Sequence, residues 1–121
     1  DVLTHAVMDA LLGAAALGDI GALFPDSDPA YRGADSLKLL ERVVALIGER
    51  GYAVGNIDAT VLAQAPKLRP YIDAMRDRLA AACGVDAGRI GIKATTEEGL
   101  GFTGSGEGMA AHAVCLLKER G

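Results

Sequence analysis

Only two stretches of this chain alternate apolar and polar residues with the period of a strand, and that scarcity limits the fold more than any other feature. From Tyr52 to Ala65, Ile57, Ala59, Val61 and Ala63 fall on one side and Asn56, Asp58, Thr60 and Gln64 on the other. Arg89 to Thr95 alternates again through Ile90, Ile92 and Ala94. Two strands do not make a stable sheet, so a further strand before residue 1, other subunits, or both must complete the layer. The remaining periodic sequence is helical. Val2, Leu3, Ala6, Val7, Ala10, Leu11 and Ala14 recur at helical spacing, with Asp1 placed to cap that helix and Gly18 to close it. Gly18 to Gly33, rich in Asp, Gly and Pro, reads as a loop. Asp35 or Ser36 starts a second helix with Leu37, Leu40, Val44 and Ile47 on one face, ended by Gly51. Pro66 and Pro70 bracket a turn before a third helix carrying Ile72, Met75, Leu79 and Cys83, stopped by Gly84. A glycine-rich loop, Gly99 to Gly108, precedes a last helix with Met109, Ala113, Val114 and Leu117 inward. The expected order is α, α, β, α, β, α.

Half of the 121 residues are hydrophobic but only 4% are aromatic, so one domain spanning 1–121 must build its core from closely packed Ala, Val, Leu and Ile. Twelve Lys and Arg against sixteen Asp and Glu provide neither the basic footprint nor the stacking platforms of a nucleic-acid binder. The longest apolar stretch, Val2 to Phe24, is interrupted by His5, Asp9, Asp19 and glycines and is not a membrane span. The chain opens on Asp1 without a secretory signal, and this start reads as internal to a longer protein. Cys83 and Cys115 form no CxxC pair and suit core positions in a reducing, cytoplasmic compartment.

Chemistry-bearing residues cluster in a few segments. His5 and Asp9 are four apart and share a helical face, from which both can address a ligand or a metal; the plain alternative is a satisfied core histidine. Ala63-Gln64-Ala65-Pro66-Lys67 ends a strand in small residues, leaving main-chain groups beside one cation, either to read a planar base edge or as an ordinary strand-to-helix turn. Lys93-Ala94-Thr95-Thr96-Glu97-Glu98 combines a cation, hydroxyls and carboxylates, suited to phosphate oxygens and a hard divalent cation, or simply a solvated acidic turn. The glycines of 101–108 lack the Lys-Ser/Thr ending of a Walker loop. No Ser/His/Asp or Cys/His set is evident, and His112 reads as a surface or interface residue in mid-helix.

Taken together, His5 with Asp9 through Gly21, Leu23 to Asp26, Gly33 to Ser36, Ala63 to Lys67, Lys93 to Thr96, Leu100 to Gly104 and Gly106 to Gly108 resemble the 2-C-methyl-D-erythritol 2,4-cyclodiphosphate synthase family, in the family's order and along the whole chain. The resemblance implies an α+β (α/β layered) fold, a mixed sheet packed on one side by helices, in a homotrimer with the sheets around a central axis and active sites at subunit boundaries. It implies a metal-dependent phosphorus-oxygen lyase of the non-mevalonate isoprenoid pathway. Such an enzyme converts 4-diphosphocytidyl-2-C-methyl-D-erythritol 2-phosphate to the cyclic diphosphate and releases CMP. By position, His5 matches a zinc ligand and Glu98 the residue holding Mg2+ or Mn2+. Thr96 matches the threonine that stabilises the transition state, with Thr95 and Glu97 beside it against the phosphates. Asp19, Ile20 and Gly21 match contacts to the methylerythritol hydroxyls, and Phe24, Pro25, Asp26, Ser27 and Asp28 continue that pocket. Ala63, Gln64, Ala65, Pro66, Lys67, Leu68 and Arg69 match the cytidine pocket, and Phe102 a residue at the ligand end near the trimer axis. Asp9 falls near the ribose or metal.

Two departures stand out. The family's other zinc ligands lie in an Asp-x-His motif on an N-terminal strand, and this sequence starts after it, so an N-terminal strand is expected upstream. Ser105 stands where the family often has an Arg facing the axial cavity, which argues against an anionic isoprenoid diphosphate there. The alternatives are a non-catalytic trimeric cytidine-nucleotide-binding fragment with an incomplete zinc site, and a trimer binding a metabolite in its axial cavity alone.

Overall fold

The computed structural model describes residues 2–24, 35–63, 69–95 and 109–120. Its mixed sheet is centred on β1 (Tyr52–Ala63), with β2 (Ile90–Thr95) parallel on one side and β3 (Met109–Glu119) antiparallel on the other. The strand missing from the sequence reading is thus β3, the segment expected to be the last helix. Met109, Ala113, Val114 and Leu117 fit a helical stripe, but the same residues also fit alternation. In the structure Ala111, Ala113, Cys115 and Leu117 turn toward the helices, while His112, Val114 and Leu116 stand exposed. A short apolar run supports both periods. Pairing with β1 from Tyr52↔Glu119 to Ala63↔Met109 decides between them. His112 therefore sits in mid-strand opposite Thr60, not in a helix.

β1 follows its pattern: Ile57, Ala59 and Val61 are buried, and Asn56 and Asp58 are exposed. Val54 is buried too, although it lies an odd three positions before Ile57. A register shift against β3 between Val54 and Asn56 resolves the parity, because the extra residue, Gly55, lets both side chains turn inward. A Cβ on Gly55 would lie 2.8 Å from the Leu116 carbonyl oxygen, so only glycine fits. The Arg89 guanidinium donates to the Gly55 carbonyl oxygen at 3.0 Å and occupies the acceptor that the bulge turns aside.

Three helices cover one face of this sheet: α1 (Val2–Ala14), α3 (Ser36–Glu49) and α4 (Ile72–Cys83). The buried stripe of α1 is Leu3, Thr4, Val7, Met8, Leu11 and Leu12, rotated from the expected one, and Val2 is exposed. Closure comes at Ala16 rather than Gly18: with φ 58°, Ala16 donates to the Gly13 carbonyl and Leu17 to that of Leu12, a Schellman end. Asp35 caps α3 by accepting from Leu37 N–H at 2.9 Å, and left-handed Gly84 closes α4, both as expected. The stretch read wholly as loop contains one helical turn, α2 (Ile20–Leu23).

Small side chains let α1 lie close to the sheet. Ala59 and Ala113 are register partners at its centre, and the neighbouring Cys115 thiol donates to the Ala10 carbonyl at 3.4 Å. Cys83 is buried nearby in the core cluster. Burial, then the Coulomb effect of Cys115, pushes its pKa from 9.0 to about 11, and burial raises that of Cys115.

Gly55→Ala is expected to destabilise the fold by about 2–3 kcal/mol, read as a lower urea midpoint with unchanged slope; an unchanged midpoint would contradict the close approach at Leu116. The unfolded Cys83 thiol ionises near pH 9.0 and the folded one near 11. Stability is therefore fully held below about pH 9 and falls by about 2–3 kcal/mol on the way to pH 11. Cys83→Ala should remove that part of the pH dependence in parallel urea titrations at pH 8 and pH 11.

Candidate active site

β1 and β2 run parallel and end side by side, with Leu62 in register with Thr95, so Ala63 and Thr95 share one edge of the sheet. Ligands of α/β layers gather beyond the carboxyl ends of strands. Met109 pairs with Ala63 and brings the start of β3 to the same edge. Thr95 is exposed there, as is Arg69, which opens the 3-10 turn Arg69–Tyr71 leading into α4. Lys93, expected as a cation at this strand end, instead forms an ion pair with Asp58 at 3.0 Å on the sheet face that carries no helix.

A second group of expected residues lies on α1 and α2. Asp19 is the N-cap of α2, its carboxylate accepting from Ala22 N–H at 3.0 Å. The adjacent Ile20 N–H donates to Asp9 Oδ1 at 2.9 Å. The two carboxylates therefore take N–H groups at both sides of Gly21, which is exposed. Leu23 and Phe24 pack toward the second half of α3, where they line a cavity of about 380 Å³ with Arg42, Ala45, Leu46 and Glu49. Sequence reading assigned Asp9 to a ligand or metal and missed its bond to Ile20; an i to i+11 side-chain bond leaves no periodic trace.

His5 lies on the exposed side of α1, one turn before Asp9. An imidazole at this position has the donor chemistry zinc takes, so His5 fits the role of one ligand. Among the described residues no group of three His, Cys, Asp or Glu is placed to hold a metal ion. The partner carboxylate named for the second cation, Glu98, lies outside the described residues, as do Pro25, Asp26, Ser27, Asp28, Gln64, Ala65, Pro66, Lys67, Leu68, Thr96, Glu97, Phe102 and Ser105.

The structure thus joins Ala63 with Thr95, and Asp9 with Asp19, Ile20 and Gly21. Among the described residues it does not join the two groups. The second lies toward the end of α3 from which the chain enters β1, away from the edge where β1 and β2 finish.

Comparison with known proteins identifies the family. The YgbB family profile matches residues 1–118. A Trichlorobacter lovleyi protein named 2-C-methyl-D-erythritol 2,4-cyclodiphosphate synthase is 68% identical over 117 residues, covering 97% of this chain and 74% of the relative. Among solved structures, the bifunctional IspDF of Campylobacter jejuni superposes with TM-score 0.94 at 46% identity, covering 98% of this chain and 32% of that one. A Plasmodium falciparum IspF complex with CDP gives TM-score 0.87 at 30% identity, over 100% of this chain and 72% of that one. With its order of motifs, mixed sheet and covering helices, the chain belongs to the YgbB family of 2-C-methyl-D-erythritol 2,4-cyclodiphosphate synthases.

Proposed function

We propose that this chain carries out the reaction its relatives are named for, closing 4-diphosphocytidyl-2-C-methyl-D-erythritol 2-phosphate on itself to give the 2,4-cyclodiphosphate and CMP in the non-mevalonate route to isoprenoids. The observation that carries the reading is the 68% identity to a synthase across nearly the whole chain. The substrate's 2-phosphate oxygen attacks the β-phosphorus, the bond from that phosphorus to CMP breaks, and CMP leaves with the electron pair. A phosphorus-oxygen lyase of this type needs no protein nucleophile. Burial raises the pKa of both thiols, so neither is activated as one.

The protein's part is then positioning and charge balance, which lower the cost of bringing two phosphates together. Ala63 to Arg69 would hold the cytidine through main-chain groups, with Lys67 near the nucleotide. Thr95 to Glu98 would meet the phosphates, Thr96 stabilising the transition state. Asp19, Ile20 and Gly21 would bind the methylerythritol hydroxyls, Phe24 to Asp28 extending that pocket and Phe102 lying at the ligand end. His5 would supply an imidazole to zinc and Glu98 a carboxylate to Mg2+ or Mn2+. Bound there, such cations neutralise phosphate charge.

Two features support a homotrimer with sites at its subunit boundaries. The two groups of site residues lie apart in one chain and would need a neighbouring copy to complete them. Val114 and Leu116, each 68% exposed, stand on the helix-free sheet face, an apolar surface suited to another subunit. No helix among the described residues is long and apolar enough to cross a membrane, and the reading places the enzyme in the cytoplasm.

Incubated with the cytidyl substrate, the protein should release CMP, lose that activity on chelation and regain it with zinc and magnesium. His5→Ala should cost about a hundredfold or more together with bound zinc. A protein that binds CDP but releases no CMP with both cations present would be a binding module instead. Leu116→Glu should shift a trimer to monomers in sedimentation while leaving the circular dichroism spectrum intact, and CMP release should fall with it. An active monomeric wild type would overturn the shared-site reading.

A further inference from the structure

We propose that Asp9 is a positioning residue of the substrate site, acting through the Ile20 N–H rather than on a ligand or a metal. This rests on the reading above, in which Asp19, Ile20 and Gly21 hold the substrate's hydroxyls. A single helical turn such as α2 has no intrinsic stability, because it fixes several residues for few internal bonds. Its first N–H groups have no partner within the helix. Asp19 takes that of Ala22 at 3.0 Å, and the Ile20 N–H reaches Asp9 Oδ1 at 2.9 Å, across eleven residues of chain.

The bond to Asp9 ties the turn to a stable support. Asp9 stands on α1, whose Val7, Met8, Leu11 and Leu12 are fully buried, so its backbone is fixed by the core. Without it, the polar start of the turn would keep the packing of Ile20, Leu23 and Phe24 on the core and the chain through Gly18, at φ 95°, but no hydrogen bond from the Ile20 N–H to α1. The side chain is short and already one hydrogen bond from a backbone donor. Its geometry is that of a second cap, supplied from another helix.

The test uses Asp9→Asn and Asp9→Ala with the wild type, following kcat, KM, bound zinc and amide exchange. Asn keeps an oxygen where Asp9 Oδ1 lies, and Ala does not. Asp9→Ala should raise KM about fivefold to thirtyfold, the upper part of the range for losing a cap, while kcat changes less and zinc content stays level. Exchange at the Ile20 amide should quicken while amides of Ile57 and Ala59 keep their protection. Asp9→Asn should restore KM to within about threefold of wild type, as expected where the acceptor rather than the charge matters. If Asn and Ala fail alike and both lose zinc, Asp9 is a metal-site residue and the proposal is wrong. It is equally wrong if Asp9→Ala leaves KM or the Ile20 exchange rate unchanged. A wild type that releases no CMP removes the enzymatic reading itself, a different result from an active wild type insensitive to Asp9→Ala.

Discussion

The structure depends on β1 being paired along both edges while buried on one face. Its neighbours fix it in opposite senses, β2 parallel and β3 antiparallel, so neither can slip without breaking the other's register. A slip of one residue would expose Ile57, Ala59 and Val61 and bury Asp58 between the sheet and three helices. The bulge at Gly55 is where this constraint is adjusted, since it lets Val54 and Ile57 both face inward. Arg89 holds the displaced carbonyl from the turn that leads into β2, linking the bulge to the strand on the other side.

Because the helices occupy one face, the two faces of the sheet take different roles. On the helix side Ala59, Ala113 and Cys115 sit among Val54, Ile57, Val61 and Leu117 with no aromatic at the centre, and the approach is close enough for a thiol of β3 to donate to a carbonyl of α1. The other side carries the Asp58–Lys93 pair beside Val114 and Leu116, a mixture of charge and apolar surface. Such a face is neither a finished core nor an ordinary solvated surface. That is why the oligomeric reading follows from the sheet rather than from the helices.

Much of this was legible in the sequence where local chemistry decides the outcome. Asp35 as a cap, Gly84 as a stop and the inward set of β1 each depend on neighbours a few residues away. The failures are equally informative. Met109 to Leu117 satisfies a helical stripe and an alternating one, and only pairing with a strand some fifty residues earlier selects between them. Ala16 closes α1 with a positive φ that alanine rarely adopts, so the glycine two residues later was the better local guess. Gly55 carries no sign in sequence that its neighbour across the sheet is a carbonyl at 2.8 Å from a Cβ. For the site, the strand-end motifs were legible as motifs, but the partners of two of their polar residues were not: Lys93 pairs with Asp58, and Asp9 accepts from the Ile20 N–H.

The division of the site follows from the same topology. A parallel β1-α4-β2 crossover delivers Ala63 and Thr95 to one edge of the sheet, whereas α2 is delivered by the end of α1 and lies along the second half of α3. Since α3 leads directly into the start of β1, whatever packs on its second half is carried toward the opposite edge. A substrate with a nucleotide at one end and a phosphorylated polyol at the other has two such ends to be held. In the proposed function one copy would present the holding groups in separate places, and two copies set side by side around an axis would bring the proposed nucleotide edge of one against the α1–α2 flank of the next. On that proposal the helix-free face and the divided site are one requirement, because the contact that would cover Val114 and Leu116 would also be the contact that completes the chemistry.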